Sequence, residues 1–148
     1  SWVFGSDAPN FVQTMLRLAQ SRETIGVVAD QMGRPTFADD LARACLALAA
    51  RLKDGQASSG LYHFANAGET SWAGFASAIF AAAAERGLPG ARVNPIGTQD
   101  YPTPARRPAN SRLDTAKIAA ALGVPDLPHW RDGLGETLDR LKTARQNP

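Results

Sequence analysis

Short β-prone runs alternate along this chain with segments whose apolar residues recur every three or four positions, and this alternation constrains the fold most. Four runs are predicted to be strands: SWVFG (1–5), IGVVAD (25–30), GLYHFANAG (60–68) and ARVNPI (91–96). Strands that alternate with helices in this way are typical of an α/β fold, here with more helix than strand.

Five helices are predicted from their caps and apolar stripes. Asn10 is a candidate N-cap for a helix over 11–22. Thr36 with Asp39 resembles a capping box, and the helix that it opens is predicted to end at Gly55. The remaining helices are predicted to start at Ser71, at Asp114 or Thr115, and near Trp130, and the second of these to end at Gly123. The stripes predicted to be buried are Phe11, Met15, Leu18 and Ala19; Leu41, Ala44, Cys45, Leu48 and Leu52; Trp72, Phe75, Ala76, Ile79, Phe80 and Ala83; and Trp130, Leu134, Leu138 and Leu141.

The composition bounds the class of protein. At 148 residues the chain suffices for one domain, and 44% hydrophobic with 20% charged residues is typical of a globular protein. The single cysteine, Cys45, excludes an internal disulfide framework and favours a reducing, cytoplasmic compartment. No apolar run approaches the roughly 20 residues that cross a bilayer. A net charge of +2 is too small to indicate nucleic-acid binding.

Catalytic machinery is not evident in the sequence. Neither nucleotide-binding glycine motif, G-x-G-x-x-G or G-x-x-x-x-G-K-[ST], is present. Two histidines, His63 and His129, with one cysteine and no H-x-x-x-H do not predict a zinc site. Asp39 and Asp40 are adjacent, so on a helix they point about 100° apart and do not form an acid/base pair.

The segment DYPTPARRPANSRLD (100–114) concentrates prolines and arginines in one predicted loop. Arginine is suited to bidentate recognition of phosphate oxygens, and prolines would hold the guanidinium groups in place. Asn110 and Ser111 add neutral donors. The residues therefore predict an anion site, with a diphosphate as the favoured anion; a surface loop without a ligand is the alternative.

The three tryptophans differ in their predicted surroundings. Trp72 and Trp130 lie on apolar stripes and are predicted to belong to the core. Trp2 is predicted near the C-terminal end of a strand, the edge at which open α/β sheets bind ligands. It could stack on a sugar ring there or pack in the core, and position alone does not decide between the two.

Taken together, several segments resemble the dTDP-4-dehydrorhamnose reductases, a family of extended short-chain dehydrogenase/reductases. They occur in the family order: SWVFG, NFVQTMLRLA, DQMGRPTFADDLA, GLYHFANAGETSWAGFA and YPTPARRPANSRLDTAKI. The more specific parts are the proline-arginine loop and the D-Q-x-G-x-P-T stretch, Asp30 to Thr36. The resemblance implies the C-terminal substrate-binding part of a Rossmann-type NAD(P)-dependent reductase.

The family's N-terminal Rossmann half carries a glycine-rich loop and a catalytic Y-x-x-x-K. Neither occurs here, since Tyr62 is followed four residues later by Asn66, and Tyr101 by Ala105. We therefore expect residues 1–148 to be a single substrate-binding domain fragment of a longer polypeptide. Residues 1–5 would be the last part of a Rossmann-type strand, and residues 100–113 the substrate loop.

The resemblance also implies the ligand and its contacts. The substrate would be dTDP-4-dehydro-L-rhamnose, reduced at its C4 ketone to dTDP-L-rhamnose, a precursor of cell-surface polysaccharide. Its contacts would be Trp2, Asn10, Arg107, Asn110 and Ser111, with no catalytic residue in this fragment. NADPH or NADH would be bound mainly by the N-terminal half.

Further expectations follow from the family and from the composition. Its members allow a homodimer and a magnesium ion at the dimer interface, for which Asp39 is the candidate carboxylate. Neither a nucleic-acid nor a membrane partner is expected. Some homologues of this fold are non-catalytic regulatory subunits, such as a partner of methionine adenosyltransferase, and that role is the alternative to a reductase.

Overall fold

The computed structural model describes residues 1–105 and 107–146. The helices are α1 (Phe11–Leu18), α2 (Ala38–Lys53), α3 (Trp72–Ala84), α4 (Ala116–Leu122) and α5 (Trp130–Gln146). The strands are β1 (Val3–Phe4), β2 (Thr24–Val28), β3 (Met32–Gly33), β4 (Thr36–Phe37), β5 (Thr70–Ser71) and β6 (Arg92–Ile96). The predicted helix-rich α/β class is confirmed. Within the described residues, none of the helices has both the length and the apolar character needed to cross a membrane.

The strands pair two by two. β1 lies parallel to β4, β2 lies parallel to β6, and β3 pairs antiparallel with β5. The longest pairing, β2 with β6, runs in register from Thr24 opposite Arg92 to Val28 opposite Ile96. Its parallel direction brings the carboxyl ends of both strands to one edge.

Three predicted helix boundaries are confirmed by local hydrogen bonds and backbone angles. Asn10 Oδ1 accepts from the backbone N–H of Val12 at 3.0 Å and caps α1. Ser71 Oγ accepts from Gly74 N at 3.1 Å and caps α3. Gly123 ends α4 with φ at 70°, a left-handed conformation that glycine adopts without strain.

The main core is aromatic at its centre. The ring of Phe75 on α3 lies 5.5 Å from that of Phe4 on β1 and 5.3 Å from that of Trp130 on α5. A smaller cluster joins α2 to α4 around Ala44, Phe64 and Ile118. The predicted burial of Trp130 in the core is confirmed, because only 1% of it is exposed.

The predicted capping box at Thr36 is wrong. Thr36 lies in β4, and its hydroxyl donates to the carbonyl of Ser1 at 2.7 Å because β4 pairs with β1. The N-cap of α2 is Phe37, which makes no side-chain capping bond. Asp39 lies in the first turn of α2 and accepts from Arg140 Nη2 on α5 at 2.7 Å. A contact 101 residues away in sequence thus replaces the local one.

The predicted strand at 60–68 is also wrong. Residues 61–66 have no strand pairing, and Ala67 makes one isolated bridge with His129. The segment is used for packing instead, since Phe64 enters the smaller cluster and Asn66 is fully buried.

Two predicted helices differ in detail from the structure. α1 ends at Leu18 rather than at residue 22, because Gln20 N and Ser21 N turn back to carbonyls three residues earlier. On α2, Cys45 and Leu52 are exposed. The face that packs on the smaller cluster carries Leu41, Ala44 and Leu48.

Candidate functional site

The carboxyl edge of the β2–β6 pair is where the proline-arginine loop (100–113) begins. Thr98 follows β6, and its N–H and hydroxyl donate to the carboxylate of Asp30, which follows β2, at 3.0 and 2.7 Å. Gln31 Nε2 donates to Thr98 Oγ1 at 3.1 Å. The Thr98 hydroxyl, and then its backbone N–H, hold the pKa of Asp30 below its usual value.

The other end of the loop docks on the same D-Q-x-G-x-P-T stretch. Met32 N donates to the carbonyl of Ala109, and Ser111 N donates to the carbonyl of Met32, both at 2.8 Å. The two sequence segments that carry the family resemblance are therefore bonded to each other in space. Asp30 and Gln31 hold Thr98, two residues before the loop begins, and Met32 holds the end of the loop.

An open cleft of about 930 Å³ lies between this loop, α1 and β2. Its apolar wall includes Trp2, Phe11, Met15, Leu18 and Trp72. Among the described residues that line it, the only charged side chains are those of Arg22 and Arg107. A volume of this size suits a small-molecule ligand, and the two cations favour an anionic one.

Trp2, in the cleft wall, has an unusual backbone conformation. It lies immediately before β1, not near the C-terminal end of a strand as predicted, and its φ of 53° is left-handed. Such a φ is strained for a bulky residue. Thr36 N donates to the carbonyl of Trp2 at 3.1 Å, which helps to hold this conformation.

The structure brings some of the predicted site residues together and separates others. Trp2, Arg107 and Ser111 line the cleft. Asn10 does not line it, and its Nδ2 donates to the carbonyls of Gly5 and Ala8, each at 2.7 Å. Asn110 is exposed outside the cleft lining, and its Oδ1 accepts from Arg112 N and Nε at 3.0 and 2.9 Å. Arg106 lies outside the described residues.

Sequence reasoning missed three residues that line the cleft. Trp72 was predicted to be core, but it is half-buried and stacks on Trp2. Gln31 is only 7% exposed and reaches the cleft from the D-Q-x-G-x-P-T stretch. Its position in that motif was the available signal. Arg22 carries no signal beyond its charge, since it follows α1 in an ordinary polar turn.

The predicted magnesium ligand does not fit the structure. Asp39 already accepts from Arg140, so an arginine occupies the carboxylate that a cation would need. No group of three or more His, Cys, Asp or Glu side chains arranged for a metal occurs among residues 1–105 and 107–146. Within this chain, Asp39 is therefore one partner of an ion pair.

Comparison with known proteins identifies the family. The family model described as RmlD substrate binding domain matches residues 1–143. The chain belongs to this family. dTDP-4-dehydrorhamnose reductase from Burkholderia thailandensis is 46% identical over 145 residues, which are 91% of this chain and 48% of that protein. The dTDP-4-dehydrorhamnose reductase from Aggregatibacter actinomycetemcomitans is 48% identical over 127 residues, which are 84% of this chain and 43% of that protein.

A solved structure agrees with this membership of the RmlD substrate binding domain family. dTDP-4-dehydrorhamnose reductase from Bacillus anthracis, in complex with NADP, matches with a TM-score of 0.81 at 34% identity. The match covers 95% of this chain and 46% of that one. This chain thus spans about half the length of the curated relatives it matches. The predicted resemblance to the dTDP-4-dehydrorhamnose reductases is confirmed.

Proposed function

We propose that this chain is the substrate-binding part of a dTDP-4-dehydrorhamnose reductase, whose cleft binds the nucleotide sugar dTDP-4-dehydro-L-rhamnose. The observation that best supports the proposal is the positive charge of the cleft. Arg22 and Arg107 line it, and no carboxylate is among its described lining residues. Cations beside an aromatic wall suit a ligand that combines a diphosphate with flat or apolar rings. Family membership narrows that ligand class to a dTDP-sugar.

The proposed contacts differ in kind. Arg107 pairs with the diphosphate, and Ser111 adds a neutral donor beside it. Trp2 offers the part of its indole ring that Trp72 and Gly33 leave uncovered. Asn110 would contribute its amide nitrogen, since its oxygen is bonded to Arg112. Asn10 would act indirectly, by capping the helix α1 that presents Phe11 and Met15 to the cleft.

The G-x-G of this chain does not form a phosphate-binding loop for a nicotinamide cofactor. Gly133 and Gly135 form a G-x-G inside α5, and a Cβ at position 133 would come within 2.5 Å of Phe37 Cβ. Gly133 therefore allows close packing against Phe37 and is not part of a phosphate-binding loop. In the whole reductase NADPH or NADH would supply the hydride, held mainly by the predicted N-terminal half with its Tyr and Lys. This chain would bind and orient the sugar nucleotide.

The assembly of the reductase belongs to the same proposal. We expect the full-length protein to be a homodimer, with twice the mass of one chain in light scattering. A monomer would contradict this expectation. A non-catalytic regulatory subunit would instead form a stable complex with a different protein and would bind no dTDP-sugar.

Substitution of Arg107 in the full-length protein tests the proposal. Arg107→Ala removes a charge-assisted contact worth roughly 1.5–3 kcal/mol, and the affinity for dTDP-sugar and for dTDP should fall by about one to two decades. The NAD(P)H affinity should hardly change. Arg107→Lys should recover only part of the loss, because an ammonium lacks the planar fork of donors.

Arg106→Ala is the matched control, since the family element begins at Arg107. Titration calorimetry with dTDP measures both variants. Equal losses at both positions would indicate a diffuse positive patch. An unchanged dTDP affinity in a folded Arg107→Ala protein would favour the alternative, in which the loop is a surface segment that binds no ligand.

A further inference from the structure

One carboxylate joins the end of the proline-arginine loop to the body of the domain. Arg112 Nη1, in the loop, donates to Glu69 Oε2 at 2.7 Å. The other carboxylate oxygen of Glu69 lies 3.7 Å from Arg34 Nη2, in the D-Q-x-G-x-P-T stretch. Glu69 thus connects two arginines that would otherwise repel each other.

Both arginines also bind the loop backbone or its neighbours. Arg112 donates through its N–H and Nε to Asn110 Oδ1, two residues before it. Arg34 Nη1 donates to the carbonyl of Leu113 at 3.4 Å and to Thr115 Oγ1 at 3.3 Å. By pairing with both arginines, the Glu69 carboxylate supports the hydrogen bonds to Asn110, which precedes Arg112 in the chain, and those to Leu113 and Thr115, which follow it.

Arg34 needs this carboxylate because it is partly buried. Its side chain is 24% exposed, and its Nε is buried without a hydrogen-bond partner in the part of the chain that the structure describes. A guanidinium removed from water is stabilised only when a counter-charge lies nearby. The side chain of Glu69 provides that charge.

Glu69 is held in place by the residues on either side of it. Gly68 has a φ of 88°, and a Cβ there would come within 2.3 Å of His129 Nε2. Thr70 and Ser71 follow as β5, paired with Met32 and Gly33 of β3. The carboxylate is therefore presented from a segment that can shift little.

We propose that Glu69 is a positioning residue of the sugar-nucleotide site, which holds the loop through Arg112 and Arg34 so that Arg107 and Ser111 face the cleft. The inference rests on the proposed function, because the loop matters to a substrate only if the cleft binds one. Glu69 does not itself line the cleft. Its hydrogen bond with Arg112, and then the charges of Arg112 and Arg34, hold the pKa of Glu69 below its usual value. The carboxylate is thus ionised near neutral pH.

Two readouts on the full-length protein test the proposal. Glu69→Ala should speed tryptic cleavage of the loop after Arg106 and Arg112, and should weaken dTDP binding by roughly two- to tenfold, the scale of a partly exposed ion-pair network. The NADPH affinity and the circular dichroism spectrum should stay unchanged. Glu69→Gln, which keeps an acceptor but loses the charge, should lie between wild type and Glu69→Ala.

Glu85→Ala is the matched control. Glu85 follows α3 and pairs loosely with Arg86 at 3.8 Å, so both readouts should match those of the wild type. Arg112→Ala removes the same contact from the other side, and adding Glu69→Ala to it should weaken dTDP binding little further. Arg112→Ala also tests the contact by itself if the Glu69→Ala protein folds poorly.

The two proposals fail in different ways. Unchanged cleavage and unchanged affinity in a folded Glu69→Ala protein would overturn the positioning role. Faster cleavage with unchanged dTDP affinity would overturn it too, provided that Arg107→Ala still weakens dTDP binding. If Arg107→Ala has no effect either, faster cleavage would keep Glu69 as the residue that holds the loop and would contradict the proposed function.

Discussion

Trp2 stacks on Trp72, with ring centroids 3.7 Å apart and ring planes inclined by 15°. One tryptophan precedes β1 and the other begins α3, so the stack joins two distant segments in the wall of the cleft. Gly33 touches the same indole, since a Cβ built there would lie 2.4 Å from Trp2 Cε2. The position of Trp2 therefore depends on the absence of a side chain at residue 33.

Gly33→Ala should displace the Trp2 ring and lower the stability of the domain. The backbone at residue 33 suits alanine, so the clash with Trp2 is the cause, and overpacking of this kind costs typically about 1–3 kcal/mol. Urea unfolding and tryptophan fluorescence measure the two effects. Gly90→Ala is the control, because its nearest contact would be an ordinary 3.8 Å to the carbonyl of Phe80. An unchanged fluorescence spectrum in Gly33→Ala would contradict the prediction.

Asn66→Ala should destabilise the domain by about 2–4 kcal/mol, because it leaves buried partners unsatisfied. Asn66 is fully buried. Its Oδ1 accepts from Phe37 N at 2.8 Å, and its Nδ2 donates to Asp40 Oδ2 at 2.6 Å and to the carbonyl of Pro128 at 3.0 Å. Chemical denaturation measures the change. Asn94→Ala, on exposed β6, should change stability little, and equal effects at both positions would refute this role of Asn66.

Asp30→Asn should lower stability at neutral pH, and its difference from wild type should shrink in acid. The carboxylate accepts from the Thr98 hydroxyl and from the Thr98 N–H, which its two oxygens share, and these hydrogen bonds lower its pKa in the folded state. This stabilisation is complete above the unfolded carboxyl pKa of about 3.9. It is lost as the pH falls through the lower folded value. Urea unfolding at pH 7 and pH 3 checks the sign, with exposed Asp126→Asn as the control.

The 148-residue chain alone should not oxidise NADPH or NADH in the presence of any sugar nucleotide. Neither a glycine-rich loop nor a Y-x-x-x-K occurs in its sequence. Absorbance at the nicotinamide band, with the full-length reductase as positive control, measures turnover. Turnover by the pure chain would show that unrecognised machinery is present.

Features that depend on a few neighbouring residues were predictable. Asn10 and Ser71 cap helices with their own side chains, and Gly123 ends a helix because glycine accepts a left-handed φ. The apolar period of α3 and α5 likewise located their buried faces. The sequence alone also determined that Arg107 belongs to a proline-rich, cationic loop, as that is a matter of composition.

Which distant residues meet was decided by the tertiary structure. Thr36 was predicted to cap α2, but β4 pairs with β1, and the Thr36 hydroxyl donates to the carbonyl of Ser1 instead. Trp72 looked like core, yet it is only partly buried and lines the cleft, while the rest of its stripe is buried. The apolar period alone cannot show that one end of a stripe borders an open cleft. Glu69 and Arg112 meet across 43 residues. Such contacts form only after the chain has folded, because their energy depends on which groups packing brings within hydrogen-bond distance, and no local pattern encodes that.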